Sequence, residues 1–250
     1  MEGHLTHTGD KDMIPDFSKR AEIDELMDNP NCDEAKLLRT VRQFASINRL
    51  VSRYRTILRR EVLGDMRPGR AYHLVDMGAG GCDIDVWLLQ AARKRGLDLR
   101  IAACDIDPRI IAYARSTFGN VQGLEIREKD LLEAEFDEPV DYIFANHFLH
   151  HLDSETIVRL LETWHPRVRR KMLFSDLQRD PLSYWGYALL SLFYPSSFAR
   201  VDGLISIRRG FLPEELVALT NAAKIAGGSI HRLLPGRLVL CIDGNRVNPN

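Results

Sequence analysis

From Ala71 onward, short apolar runs alternate with helical stretches, and this alternation constrains the fold more than any other feature of the chain. Tyr72–Met77, Leu99–Cys104, Leu124–Lys129, Asp141–Ala145 and Lys171–Ser175 read as strands. Asp83–Arg95, Pro108–Phe118 and Ser154–Trp164 read as helices, the second with Pro in its first turn. Strands joined by helices form a mostly parallel sheet covered on both faces. Pro213–Ile225 reads as a further helix, with two Glu residues placed where a helix N-terminus favours them. Ile230–Leu234 and Arg237–Ile242 flank Pro235-Gly236 and read as a terminal hairpin. The expected class is α/β, and 250 residues fit one such domain with additions.

Two segments stand outside this rhythm. Residues 1–30 are polar and read as loose at the start. Asn31 then reads as an N-cap, with Glu34 three positions on. Leu37, Val41, Phe44, Val51, Tyr54, Leu58 and Val62 follow at helical spacing. One long helix is expected, with a break near Ser46–Asn48 and stop signals at Gly64 and Pro68. This divides the chain into a helical cap, residues 1–68, and a domain over residues 69–250. The second segment is Gln178–Gly210, treated below.

Composition removes several function classes. Net charge is −1 and no basic run exceeds three residues, so no nucleic-acid partner is expected. Cys32, Cys82, Cys104 and Cys241 form no C-x-x-C pair, which speaks against a zinc ribbon or a disulfide framework. Met1–Ser18 has no apolar signal core, and Tyr184–Tyr194 is about half the ~20 residues that span a bilayer. A cytoplasmic protein without stable membrane association is expected, as monomer or homodimer.

The chemistry concentrates at Val75-Asp76-Met77-Gly78-Ala79-Gly80-Gly81-Cys82, which ends a strand and opens a helix. Glycines there let the backbone approach a ligand closely. A dinucleotide site needs G-x-G-x-x-G, with pyrophosphate on the helix N-terminus. Here the last position is Asp83, whose carboxylate would repel a pyrophosphate. Asp76 adds a second negative charge. Such a site suits a cationic ligand without phosphate, and S-adenosylmethionine (SAM), with its sulfonium and ammonium, is one. Asp105 ends the second strand and can accept ribose hydroxyls; Asp130 follows the third strand, in reach of an adenine amino group. Asn146 and His147 end the fourth. Ligands on such sheets bind at the carboxyl ends of the strands.

On these residues the chain resembles class I SAM-dependent methyltransferases, in the small-molecule branch that includes the ubiquinone- and menaquinone-type and secondary-metabolite enzymes. The resemblance covers about residues 71–176, and the terminal hairpin also suits it. It implies a Rossmann-like seven-stranded sheet in the order 3-2-1-4-5-7-6. It places Asp76, Gly78, Ala79 and Gly80 at the methionine end of SAM and Asp105 at the ribose. Ile106 then flanks the adenine, Asp130 and Leu131 hold its edge, and Asn146 and His147 lie beside the sulfur. Gly81-Cys82 departs from the Gly-x-Gly spacing of many members.

Three of the eight His residues fall in Asn146-His147-Phe148-Leu149-His150-His151-Leu152. Asp176 ends the neighbouring fifth strand. His150 or His151 can therefore meet Asp176, as a general base held in one tautomer by an acid. His147 and His151 fall at H-x-x-x-H spacing, but in the turn after the fourth strand and not within a helix as read, and Asp141 starts its strand at the far end of the sheet, so no metal is expected. Gln178–Gly210 holds six aromatics between Tyr184 and Phe198, where about one would fall by chance. It reads as a lid whose Tyr184, Trp185 and Tyr187 wall a flat acceptor, with Arg208 available to an acidic group. The expected reaction is O-methylation of a small phenolic or polyketide-type molecule. C-methylation of a quinol or phenol ring is one alternative, and a catalytically silent SAM-fold partner protein is another.

Overall fold

A computed structural model describes residues 15–132 and 140–245. Residues 1–14 of the loose start read in residues 1–30 therefore lie outside the described residues, as do residues 133–139. Seven strands form one sheet: β1 (Ala71–Met77), β2 (Asp98–Asp105), β3 (Leu124–Glu128), β4 (Val140–Asn146), β5 (Val168–Leu177), β6 (Ser229–Leu233) and β7 (Arg237–Asp243). Their order is β3-β2-β1-β4-β5-β7-β6, as the family resemblance implied. Pairs from β3 through β5 are parallel, while β7 runs antiparallel to both β5 and β6.

Side chains alternate across the sheet, so each strand buries two faces. On one face Val75, Met77, Ile143 and Ala145 meet Leu160 and Trp164 of α5 (Ser154–Trp164) and Leu216 of α8 (Pro213–Ala222). On the other, Leu74, Ile101 and Phe144 meet Leu58 of α2 (Tyr54–Glu61) and Leu88 of α3 (Asp83–Arg93). Toward the β3 edge, α4 (Pro108–Phe118) packs Ile111 and Ala114 onto Ala103 of β2 and Ile126 of β3.

The N-terminal helices differ from expectation in detail. α1 spans Glu34–Val51, and its cap is Asp33, which accepts from Lys36 N, not Asn31. The break falls at Ser52–Arg53, where Arg53 takes a left-handed φ of 57°, and not at Ser46–Asn48. The apolar spacing runs unbroken through Ile47, so nothing in the side-chain pattern marked the true turn. α1 lies on α4 through Leu37, Val41 and Ile110 and so roofs the carboxyl edge of the sheet. After β5 the lid is helical: α6 (Pro181–Leu190), then α7 (Ala199–Arg209).

Residues 15–33 are firmly attached. Arg20 Nε donates to Arg209 O at 2.9 Å and its Nη2 to Leu152 O at 2.9 Å. The buried Asp202 carboxylate of α7 accepts the amides of Leu26 and Met27 at 2.8 and 3.1 Å. The segment is a strap that closes over the site.

Candidate active site

The carboxyl ends of β1, β2, β4 and β5 open into a cavity of about 580 Å³ between the sheet edge, α1, the strap and α7. Its first half is acidic. Gly78 and Gly80 turn the chain with φ of +71° and +52°. A Cβ at Gly78 would sit 2.6 Å from Phe148, whereas one at Gly80 would meet nothing within 4 Å. Gly80 is thus bare backbone facing the space, and its amide donates to Asp105 Oδ2 at 2.9 Å. Cys82, at the position departing from Gly-x-Gly, adopts the left-handed φ of 59° that favours glycine.

Asp76 is buried, lines the cavity, and its Oδ1 has no hydrogen-bond partner among the described residues. Burial first, then the neighbouring Asp85, Asp83 and Asp105 charges, hold its carboxyl well above the usual range. Asp83 stands at the start of α3 and also lines the cavity. Ile106 is exposed at the rim, offering a flat apolar edge, and Asp130 with Leu131 completes this end. An orphaned carboxylate oxygen, a bare glycine backbone and an exposed apolar wall fit a ligand with an ammonium group and a flat ring.

The second half is mostly apolar, walled by Val41, Phe44, Ile47, Tyr187 and Ile207, with the histidine turn at its floor. His150 is 1% exposed. Its Nδ1 lies 2.6 Å from Asp176 Oδ1, and its backbone amide donates to Asp176 Oδ2 at 3.1 Å. Its Nε2 lies 3.4 Å from Glu25 Oε1 on the strap. Burial alone would lower the His150 pKa, but Asp176 and then Glu25 outweigh it and raise it to about 9. Asp176 is drawn below the usual carboxylate range despite its burial, chiefly by His150.

The other two histidines differ. His151 is partly exposed, stacks on His150 at 4.3 Å between centroids, and directs Nδ1 to Asp28 at 3.2 Å. His147 takes a left-handed φ of 58°, and the buried Arg237 donates through Nη1 to its Nε2 at 2.6 Å. Burial and then the Arg237 charge hold His147 neutral, well below its ordinary pKa. Arg237 Nη2 also donates to Asn146 Oδ1 and Ser175 Oγ, at 2.6 and 2.9 Å, which locks the floor.

The cavity collects Asp76, Gly78, Ala79, Gly80 and Asp105 from the glycine turn and β2. It also collects Ile106, Asp130, Leu131, Asn146 and His147, and both His150 and His151. Asp176 stands behind His150. Of the acceptor residues only Tyr187 lines it. Its hydroxyl donates to Ala199 O at 2.7 Å, and Gly203 makes room for its ring. Tyr184 packs edge-on to Phe17, and Trp185 is 54% exposed on the outer face of α6, so both turn away from the cavity. Arg208 is absent from the lining, and its carbonyl accepts from Ala21 N. Helical spacing sets Trp185 off the side shared by Tyr184 and Tyr187, and Phe17 takes up the Tyr184 ring; aromatic content marked the lid but not its inner face.

Glu25, Asp28 and Arg237 carried no signal in the sequence. Glu25 and Asp28 lie in a short 3-10 turn with no periodicity. Arg209 donates to His150 O and His151 O at 2.9 Å each, and nothing in its local sequence distinguishes it from neighbouring Arg208. Two groups, Glu25 with His150 and His151, and His147 with His150 and Asp176, bring potential ligand atoms within 4.8 Å. Both His150 nitrogens already face carboxylates, so a metal would have to displace those contacts.

Comparison with known proteins came to the same region. Residues 75–171 match the family model described as "Methyltransferase domain". No curated protein matches the sequence. Among solved structures, human N-acetylserotonin methyltransferase in complex with SAM is similar at a TM-score of 0.61 and 13% identity, over 85% of this chain and 57% of that one. PigF with S-adenosylhomocysteine (SAH) is similar at 0.58 and 18% identity, over 87% and 60%. A SAM-dependent methyltransferase from Aquifex aeolicus is similar at 0.58 and 14% identity, over 84% and 98%. The chain thus spans less than two thirds of the human enzyme and of PigF.

Proposed function

We propose that this chain, a methyltransferase by its matched domain and its fold, moves a methyl group from SAM to a hydroxyl of a small, flat, mostly apolar acceptor. The observation that carries this reading is one continuous cavity with an acidic half at the glycine turn and an apolar half at the histidine floor. When bound, SAM supplies an electrophilic methyl group on a sulfonium. Asp76 and the Gly78–Gly80 backbone would hold its amino-acid end, Asp105 its ribose, and Ile106, Asp130 and Leu131 its adenine.

The chain's own residues then align the partners. Alignment of two bound reactants is worth roughly 7–11 kcal/mol, more than the 10²–10⁴-fold of a general base. α1, Tyr187 and Ile207 wall the acceptor and exclude water. The floor sets His150 between the Asp176 and Glu25 carboxylates, and with its pKa raised to about 9 it balances their charge at neutral pH. His150 and Asp176 therefore act in charge placement, and His150 has no vacancy for a further proton. His151 remains as a partly open imidazole beside it. Residues 1–68 act as a cap and residues 178–210 as a lid over the domain of 69–250. The apolar lid suits aromatic or polyketide-type acceptors of secondary metabolism, in a cytoplasmic enzyme.

The test is incubation of the full chain with methyl-labelled SAM and catechol, resorcinol and 1-naphthol. The expected product is a labelled aryl ether. Label on a ring carbon would redirect the reading to C-methylation. No turnover, together with no stabilisation by SAM or SAH, would overturn it in favour of a silent SAM-fold protein.

A further inference from the structure

We infer that Glu25, carried on the N-terminal strap, is the group that meets the acceptor hydroxyl. This deepens the reading above and rests on it. A hydroxyl that is to be methylated must lose its proton to something. His150 is the obvious receiver by residue type, but its geometry denies it that role. Nδ1 is bonded to Asp176 at 2.6 Å, Nε2 is turned to Glu25 at 3.4 Å, and the side chain is 1% exposed. No ring nitrogen is left for a substrate. His147 is turned to Arg237, which occupies its Nε2 at 2.6 Å.

Glu25 is equally buried, at 2% exposed, but its contacts engage only Oε1. It lines the cavity between the histidine floor and α7, and as a carboxylate it can only accept. Its Oε1 accepts from Ser206 Oγ at 2.7 Å and faces His150 Nε2, so the group is held from two sides. The buried carboxylate is balanced by the His150 charge, and Asp176 balances His150 from behind. The three form a line, Asp176–His150–Glu25, that runs from β5 to the cavity wall. A carboxylate oriented this way selects a partner with a donor hydrogen in an otherwise apolar chamber. Leaving it unpaired beside an apolar ligand is unfavourable, and that supplies discrimination.

In the reaction the acceptor oxygen forms its bond to the methyl carbon as the bond from that carbon to the donor sulfur breaks. The hydroxyl proton passes to the Glu25 carboxylate. The products are the methyl ether, the neutral thioether and protonated Glu25, which returns its proton to solvent when the products leave. His150 is a positioning residue for Glu25, and Asp176 is one for His150.

The test uses the full chain loaded with SAH, and 1-naphthol and naphthalene as probes of matched shape. Titration calorimetry is expected to show wild type binding 1-naphthol at least tenfold more tightly than naphthalene. Glu25→Ala should lose that preference. Glu25→Gln, which keeps the shape and the contact with Ser206, should bind 1-naphthol but lose kcat with little change in KM. SAH affinity and melting temperature report whether each variant is folded, and SAH affinity should be unchanged in both. A preference retained in folded Glu25→Ala, or no preference in wild type, overturns the role of Glu25. Failure of wild type to bind SAH at all would instead overturn the methyltransferase reading on which it rests.

Discussion

Asp176 holds His150 twice, through the ring Nδ1 at 2.6 Å and through the backbone amide at 3.1 Å. One carboxylate thus sets both the orientation of the ring and the position of the turn that carries it. A side chain pinned in this way is a fixed charge in a buried site, and its protonation is coupled to folding.

The His150 charge should be visible in stability against pH. Its pKa rises from 6.5 to about 9 on folding. A raised folded-state pKa gives a contribution that is full below pH 6.5 and lost as pH rises through 9. The magnitude is on the order of 3 kcal/mol. Wild type should lose melting temperature between pH 6.5 and 9.5, and His150→Gln should be flatter over that window. Parallel curves would remove the charge from the site.

Asp76 and Asp85 should make ligand binding depend on pH. Both are buried, and Asp76 Oδ1 and Asp85 Oδ2 find no hydrogen-bond donor among the described residues. Burial pushes Asp85 up to about 7, and burial with the Asp85 charge raises Asp76 well above the usual carboxylate range. The pair therefore carries a proton at neutral pH. A ligand ammonium favours the ionised form, so binding expels that proton and affinity should climb from pH 6 to pH 8. Calorimetry of SAH in phosphate and in Tris should give different apparent enthalpies, and Asp85→Asn should flatten the pH profile. Equal enthalpies in the two buffers would count against a shared proton.

Asp202 should control attachment of the strap. Its carboxylate accepts the Leu26 and Met27 amides, and Asp202→Ala removes both acceptors. Each buried amide left unpaired costs about 1–3 kcal/mol. Trypsin should then cut faster after Lys19 and Arg20, with SAH affinity little changed, because the strap borders the acceptor half. Unaltered cleavage would mean that Arg20 and Arg209 suffice to hold it.

The sheet and the acidic half were legible in the sequence for a common reason. β1 and its glycine turn are contiguous, and each acidic residue stands at the end of its own apolar strand. Local pattern therefore carried Asp76, Asp105 and Asp130 to one edge once the strand order was known. The helices at Pro108–Phe118 and Ser154–Trp164 begin and end as read, because Pro108 and the caps at Asp107 and Asp153 are local signals.

The acceptor half was legible only in outline. Trp185 and Tyr184 carry the same aromatic signal as Tyr187, yet only Tyr187 faces inward, because Gly203 on another helix gives its ring a place.

What the sequence determined by itself was the parallel sheet, its helices and a local acidic site within a chain of net charge −1. These follow from hydrophobic periodicity, glycine conformations and caps, all of which act over a few residues. The tertiary structure alone decided what surrounds His150. Glu25 and His150 are 125 positions apart, and Arg237 reaches His147 across 90, so neither contact has a local signature. Two carboxylates raise the His150 pKa to about 9 against the cost of its burial, a balance of charge and desolvation that exists only when distant segments are packed together.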